Sequence, residues 1–162
     1  MTGPPTESVL GFAFVARDDG GPARLPWVAL ILKDHPEWAR GRLNGIGGKV
    51  EAPEEPRAAM AREFREEAGV KTAEADWRLV AHFGRAAGHT VYVYTTTLPK
   101  LVHLKADGPE PCSWVGADYL PQSVLPNLRW LIPLCLDDRV ADPVAVAYRR
   151  PAADPPPAPE AP

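Results

Sequence analysis

The chain has 162 residues, 45% of them hydrophobic and 24% charged, with a formal net charge of −3. That length suits one domain with a sizeable core, and the slight acidity argues against broad attraction to nucleic acid or to an anionic membrane surface. Two cysteines, Cys112 and Cys135, lack any metal-motif spacing and read as buried or incidental thiols.

In chain order, the start MTGPPTESVLGFAFV has no basic segment before its apolar run, so it does not resemble a signal peptide. No apolar stretch approaches the roughly 20 residues that cross a bilayer, and cytoplasm is the expected compartment. Residues 1–7 are expected to be flexible, followed by a strand in SVLGFAFVA. DDGGPARLP is a turn by composition, and WVALILK is a second, buried strand. DHPEWARGRLNG reads as a loop. PEEPRAAMAREFREEA carries helical signals throughout. Pro53 or Pro56 suits its first turn, Glu54 and Glu55 suit its positive end, and Gly69 suits its stop. DWRLVAHFG and HTVYVYTTTL read as strands, PCSWVGA as a short strand, PNLRWLIPLCLDD as a helix kinked at Pro133, and PVAVAYR as a final strand. The last residues, 151–162, are Pro-rich and expected to form a disordered tail, leaving one domain over 8–150. Irregular interleaving of strands and helices predicts an α+β fold.

The helix raises a question of charge. At about 100° per residue, Met60, Ala61, Phe64 and Ala68 share one face, which should pack on the sheet. Glu63, Glu66 and Glu67 stand at i, i+3 and i+4 on another face, where like charges repel. Spacing alone leaves two readings open, a solvated acidic face and a site for a hard dication such as Mg²⁺ or Mn²⁺. Glu54 and Arg62 are placed to pair and brace the cluster. The glycines at 45, 47 and 48 let the backbone approach it closely.

Gly48, five residues, Glu54, seven residues and then REFREEAGV resembles the Nudix hydrolase signature without a gap. Gly48, Glu54, Arg62, Glu63, Glu66, Glu67 and Gly69 fill its fixed positions, and Phe64 and Val70 its bulky apolar ones. The resemblance implies an α/β/α sandwich with a mixed sheet and a loop–helix–loop catalytic motif. It implies metal-dependent hydrolysis of a nucleoside diphosphate linked to another group. Glu63, Glu66, Glu67 and the Gly47 carbonyl would be metal ligands, with Arg62 and Glu54 holding the carboxylates. The general base stays open among Glu63, Glu66 and a carboxylate from a later loop. Glu110 is the best candidate for a further ligand, and Asp107 the next.

GRLNGIGGKVE resembles the branch that sanitises oxidised purine nucleoside triphosphates, with Leu43 and Ile46 in place of two aromatics. Asn44 is retained and offers a donor and an acceptor to a base edge. Trp38 matches an aromatic that stacks on the base, and Lys49 is a further candidate for binding substrate. Near the last helix the branch has a tryptophan where Leu125 stands and an acid where Asn127 stands. Asn127 is therefore read first as a helix N-cap and second as a base contact. His35, His82, His89 and His103 lack metal-ligand spacing and read as structural or surface residues. The expected activity is hydrolysis of a nucleoside triphosphate to monophosphate and pyrophosphate. The alternatives are a hydrolase of a nucleotide sugar or ADP-ribose, and a non-catalytic nucleotide-binding module. Oligomeric state is not legible.

Overall fold

The longest pairing joins distant parts of the chain. Strand β1 (Thr6–Val15) runs parallel to β5 (His89–Leu98) along its whole length, from Thr6 opposite His89 to Val15 opposite Leu98. The computed structural model describes residues 6–17, 25–85 and 88–147. The other elements are β2 (Trp27–Leu32), β3 (Leu43–Asn44), α1 (Pro56–Ala68), β4 (Arg78–Arg85), β6 (Cys112–Gly116), α2 (Leu128–Leu136) and β7 (Val144–Ala147). They build one mixed sheet in the order β3-β2-β1-β5-β4-β7, with β6 on β2. Among the described residues, no helix is long and apolar enough to cross a membrane.

Side chains alternate across a strand, so each strand feeds two cores. Phe12, Leu30, Val80 and Val93 pack beneath α2 with Leu128, Leu131 and Ile132. Val9, Ala13, Ile31 and Tyr94 pack beneath α1 with Met60, Phe64 and Ala68. The sheet thus lies between two helical layers, the expected α+β sandwich.

Helix α1 starts and stops where its residues dictate. Pro56 sits in the first turn, where its missing N–H costs nothing. Gly69 caps the end in the left-handed region at φ 73°, its N–H donating to the Arg65 carbonyl at 3.1 Å. Met60, Phe64 and Ala68 of the apolar stripe are fully buried, and Ala61 partly. Phe64 meets Trp77 edge-on at 5.2 Å, and Met60 lies over Gly11, where a Cβ would come within 2.5 Å of its sulfur. Burying Met60 and Phe64 contributes about 1.5–3 kcal/mol each, which fixes how the helix is rotated about its axis.

Several expectations need correction. Thr6 and Glu7, placed in a flexible start, belong to β1 because His89 and Thr90 pair with them. The segment 34–45, read as loop, includes a turn of 3-10 helix at Glu37–Ala39 and the short β3, which pairs with β2. Pro133 lies inside the second helix, where the sequence placed it. The Pro-rich tail, with residues 1–5, lies outside the described residues.

Candidate active site

The loop before α1 is stitched to β1. Val9 and Gly11 N–H groups donate to the Gly48 and Ile46 carbonyls at 2.8 and 2.7 Å, and Val50 N–H donates to the Glu7 carbonyl at 3.0 Å. Alternate residues of an extended segment face alternate edges, so the Gly47 peptide groups turn away from β1. The Gly47 N–H donates to Glu67 Oε2 at 3.0 Å. A side chain at either glycine would meet a different obstacle. A Cβ on Gly47 would collide with the Val9 carbonyl, and one on Gly48 would occupy the space of the Glu63 carboxylate.

Arg62 organises the carboxylates. Its Nη2 reaches Glu54 at 2.7 Å and the Lys49 carbonyl at 3.0 Å, and its Nη1 reaches Glu63 at 2.9 Å and Glu66 at 3.1 Å. The Arg62 guanidinium holds the Glu54 carboxyl below its ordinary range. Glu54, in turn, raises the pKa of Arg62 further. The pairing expected between these two residues is present and extends to two of the three helix carboxylates.

The third carboxylate has a different partner. Arg62 donates to Glu63 and Glu66, and the Gly47 N–H donates to Glu67. Among the described residues, no three His, Cys, Asp or Glu side chains meet as a metal cluster. Helical spacing makes them neighbours, but their partners decide where each carboxylate turns. Glu67 is partly withdrawn from water. Burial pushes it up to about 7, against the opposing effects of the Gly47 N–H and of Lys33.

A cavity of about 190 Å³ opens beside these residues, lined by Ile31, His35, Glu66, Glu67, Lys105 and the loop 107–110. Glu110, the candidate for a further ligand, lines it but arrives bonded. Its Oε2 accepts from Lys33 Nζ at 2.6 Å, and its Oε1 accepts from the Asp34 and His35 N–H groups at 2.8 and 3.2 Å. Burial raises its pKa, but Lys33 and the two amides outweigh that and leave Glu110 below its usual range. Asp107 lines the same cavity. Sequence reasoning missed Lys33 and Lys105, and it read His35 only as a structural or surface residue. The one available signal was position, since Lys33 directly follows a buried strand.

The candidate substrate residues are scattered. Trp38 is 69% exposed on the 3-10 turn. Asn44 is half-buried in β3 and accepts the Gly45 N–H on its own Oδ1 at 2.9 Å, leaving its amide NH₂ unused by that bond. Lys49 has an exposed side chain, and its carbonyl holds Arg62. Asn127 stands at the N-cap of α2, yet its side chain makes no capping bond and its backbone is already helical, at φ −65° and ψ −23°. The capping reading therefore fails for its side chain. None of these four lines the carboxylate cavity.

The donors present fit a hard dication. Three carboxylates on one helix and a backbone carbonyl at the glycine loop form an oxygen-only set, with a glycine where a side chain would obstruct it. Glu63, Glu66 and Glu67 each have a second carboxylate oxygen outside the bonds to Arg62 and Gly47.

The NUDIX domain family model matches residues 8–133. No curated protein matches the chain. Among solved structures, a NUDIX hydrolase from Nitrosomonas europaea superposes with a TM-score of 0.65 at 16% identity, over 91% of this chain and 82% of that one. A MutT protein from Bacillus halodurans gives 0.63 at 18% identity, over 88% and 90%. A MutT/nudix family protein from Enterococcus faecalis gives 0.56 at 17% identity; the match covers 72% of this chain but only 45% of that longer one. At these identities the structures speak for the fold alone. With the domain match extending over well more than half of its length, the chain belongs to the Nudix family.

Proposed function

We propose that this protein hydrolyses a nucleoside triphosphate to the monophosphate and pyrophosphate with Mg²⁺ or Mn²⁺. The observation that carries the reading is the glycine loop locked onto α1: Gly47 bonded to Glu67, Gly48 against Glu63, and Arg62 bracing Glu54, Glu63 and Glu66. Such an arrangement concentrates negative charge on a rigid frame, at a cost that only a functional site explains.

When bound, the dication would supply charge neutralisation at the phosphates and a water of lowered pKa. Glu63, Glu66, Glu67 and the Gly47 carbonyl would hold it. Arg62 and Glu54 act as the frame, keeping the carboxylates within reach of one another. Without the ion, burial raises the Glu67 carboxyl to about 7, so binding of the dication would displace a proton from it. Asn44 directs its NH₂ donor to a base edge, and Trp38 offers a stacking face worth about 1–3 kcal/mol. Lys49 is the further substrate contact in this reading. Asn127, without a capping bond, is left for the base.

The test is a panel of nucleoside triphosphates, nucleotide sugars and ADP-ribose with Mg²⁺, scoring pyrophosphate against phosphate release. Pyrophosphate from a triphosphate supports the reading. Turnover of nucleotide sugars or ADP-ribose alone would replace it, and no turnover of any would leave a binding module.

A further inference from the structure

Glu110 sits in the carboxylate cavity, but its bonds are those of a fastener. Both oxygens are committed, one to the Lys33 ammonium and the other to two backbone N–H groups. The Lys33 and Glu110 side chains are each only 16% exposed, so neither is free to exchange its partner for water. The two residues are 77 positions apart, and their bond joins the end of β2 to the loop before β6. That junction is reinforced by Leu32 N–H to the Pro111 carbonyl at 2.9 Å and by Cys112 N–H to the Lys105 carbonyl at 2.8 Å. Ile31, two residues before Lys33 and so on the same side of the chain, lines the cavity. An ammonium has three donors, and the bond to Glu110 uses one.

We propose that Glu110 is a positioning residue and not a metal ligand: it holds the Lys33 ammonium beside the helix carboxylates, where Lys33 meets a phosphate oxygen of the substrate. The inference rests on the hydrolase reading above. Without Glu110, Lys33, whose charge already acts on Glu67, turns toward it and competes with a dication. Glu110→Gln alone therefore cannot separate a ligand from a fastener, but the neutralised pair can.

The experiment compares wild type, Lys33→Met, Glu110→Gln and the double variant. Mg²⁺ affinity is measured by calorimetry, and KM and kcat with the best triphosphate of the panel. Lys33→Met is expected to raise KM about tenfold with little change in kcat. The double variant should be no worse in KM than Lys33→Met, and should bind Mg²⁺ within about threefold of wild type. Mg²⁺ binding weakened tenfold or more in the double variant would make Glu110 a ligand and overturn the proposal. KM effects that multiply would dissolve the pair. If wild type turns over nothing, the hydrolase reading fails separately. The fastener is then decided by the same Mg²⁺ affinities and by binding of inorganic pyrophosphate with Mg²⁺, which Lys33→Met must weaken. Hydrogen exchange at the Asp34 and His35 amides should also accelerate in Glu110→Ala; unchanged protection there would equally count against it.

Discussion

Replacing Glu67 with glutamine separates the cost of the site from its use. Burial raises the Glu67 carboxyl from 4.5 to about 7. A carboxyl whose pKa is higher folded than unfolded adds stability below the unfolded value, and loses it as pH rises through the folded one. At roughly 1.36 kcal/mol per pH unit, that interval sets a ceiling of about 3.4 kcal/mol. Partial solvation reduces this to about 1–2 kcal/mol. Glutamine keeps the oxygen that accepts from Gly47 N–H and carries no charge. With EDTA at pH 8, Glu67→Gln should therefore be more stable than wild type by that amount, about 2–8 °C in Tm for a domain of this size. At pH 4.5 the two should melt together. Saturating Mg²⁺ should raise the wild-type Tm and leave the variant unmoved, while turnover of the variant falls by at least a hundredfold. Thermal melts at the two pH values, with EDTA and with Mg²⁺, provide the measurement. An equal or lower Tm for the variant at pH 8, or a gap independent of pH, would refute the argument from buried charge, and full activity would refute the assignment of Glu67 to the site.

Other perturbations act on the frame. Arg62→Met leaves Glu54, Glu63 and Glu66 without their shared cation and should cost about 2–4 kcal/mol in urea denaturation, with at least a tenfold loss of kcat; an unchanged midpoint would show that the fork is ornamental. Gly47→Ala forces a Cβ against the Val9 carbonyl and should lower stability by about 2–4 kcal/mol, whereas Gly48→Ala should chiefly displace Glu63 and weaken Mg²⁺ binding. Equal effects of the two on melting would contradict that division. Asn44→Ala should flatten the ranking of kcat/KM among the four deoxynucleoside triphosphates and an oxidised purine, while Trp38→Ala raises KM for all of them. An unaltered ranking in the Asn44 variant removes that residue from base reading.

Local signals were the legible ones. Pro56 and Gly69 bound the helix as their backbone chemistry requires, and the wheel through Met60, Phe64 and Ala68 gave the buried face. Arg62 and Glu54 are placed to pair by the chain itself, apart from any family resemblance, and the bonds between them are present. What depends on distant partners was not legible. Lys33 meets Glu110 only because β2 and β6 lie side by side, a pairing no short window displays. The two residues of β3 are too few to show an alternation. Helical spacing placed Glu63, Glu66 and Glu67 near one another, but Arg62 and the Gly47 amide, not spacing, set their directions. Asn127 has the composition of a cap and the backbone of a helix interior, a distinction carried by φ and ψ alone.

The parallel pairing of β1 with β5 has a consequence for biosynthesis. The glycine loop takes its shape from β1, and β1 has its longest partner in β5, which ends at residue 98. A ribosome that has released residues 47–70 has delivered every glutamate of the signature, yet not the strand that keeps their platform in register. Pairings of such sequence separation close late and slowly. The nascent amino-terminal half therefore emerges with its acidic helix and the residues it packs on, Val9, Ala13 and Ile31, before β5 is there to hold β1 in register. An excised signature peptide would lack the same support. Its carboxylates would retain their order in the chain and lose the geometry that the far half imposes on them.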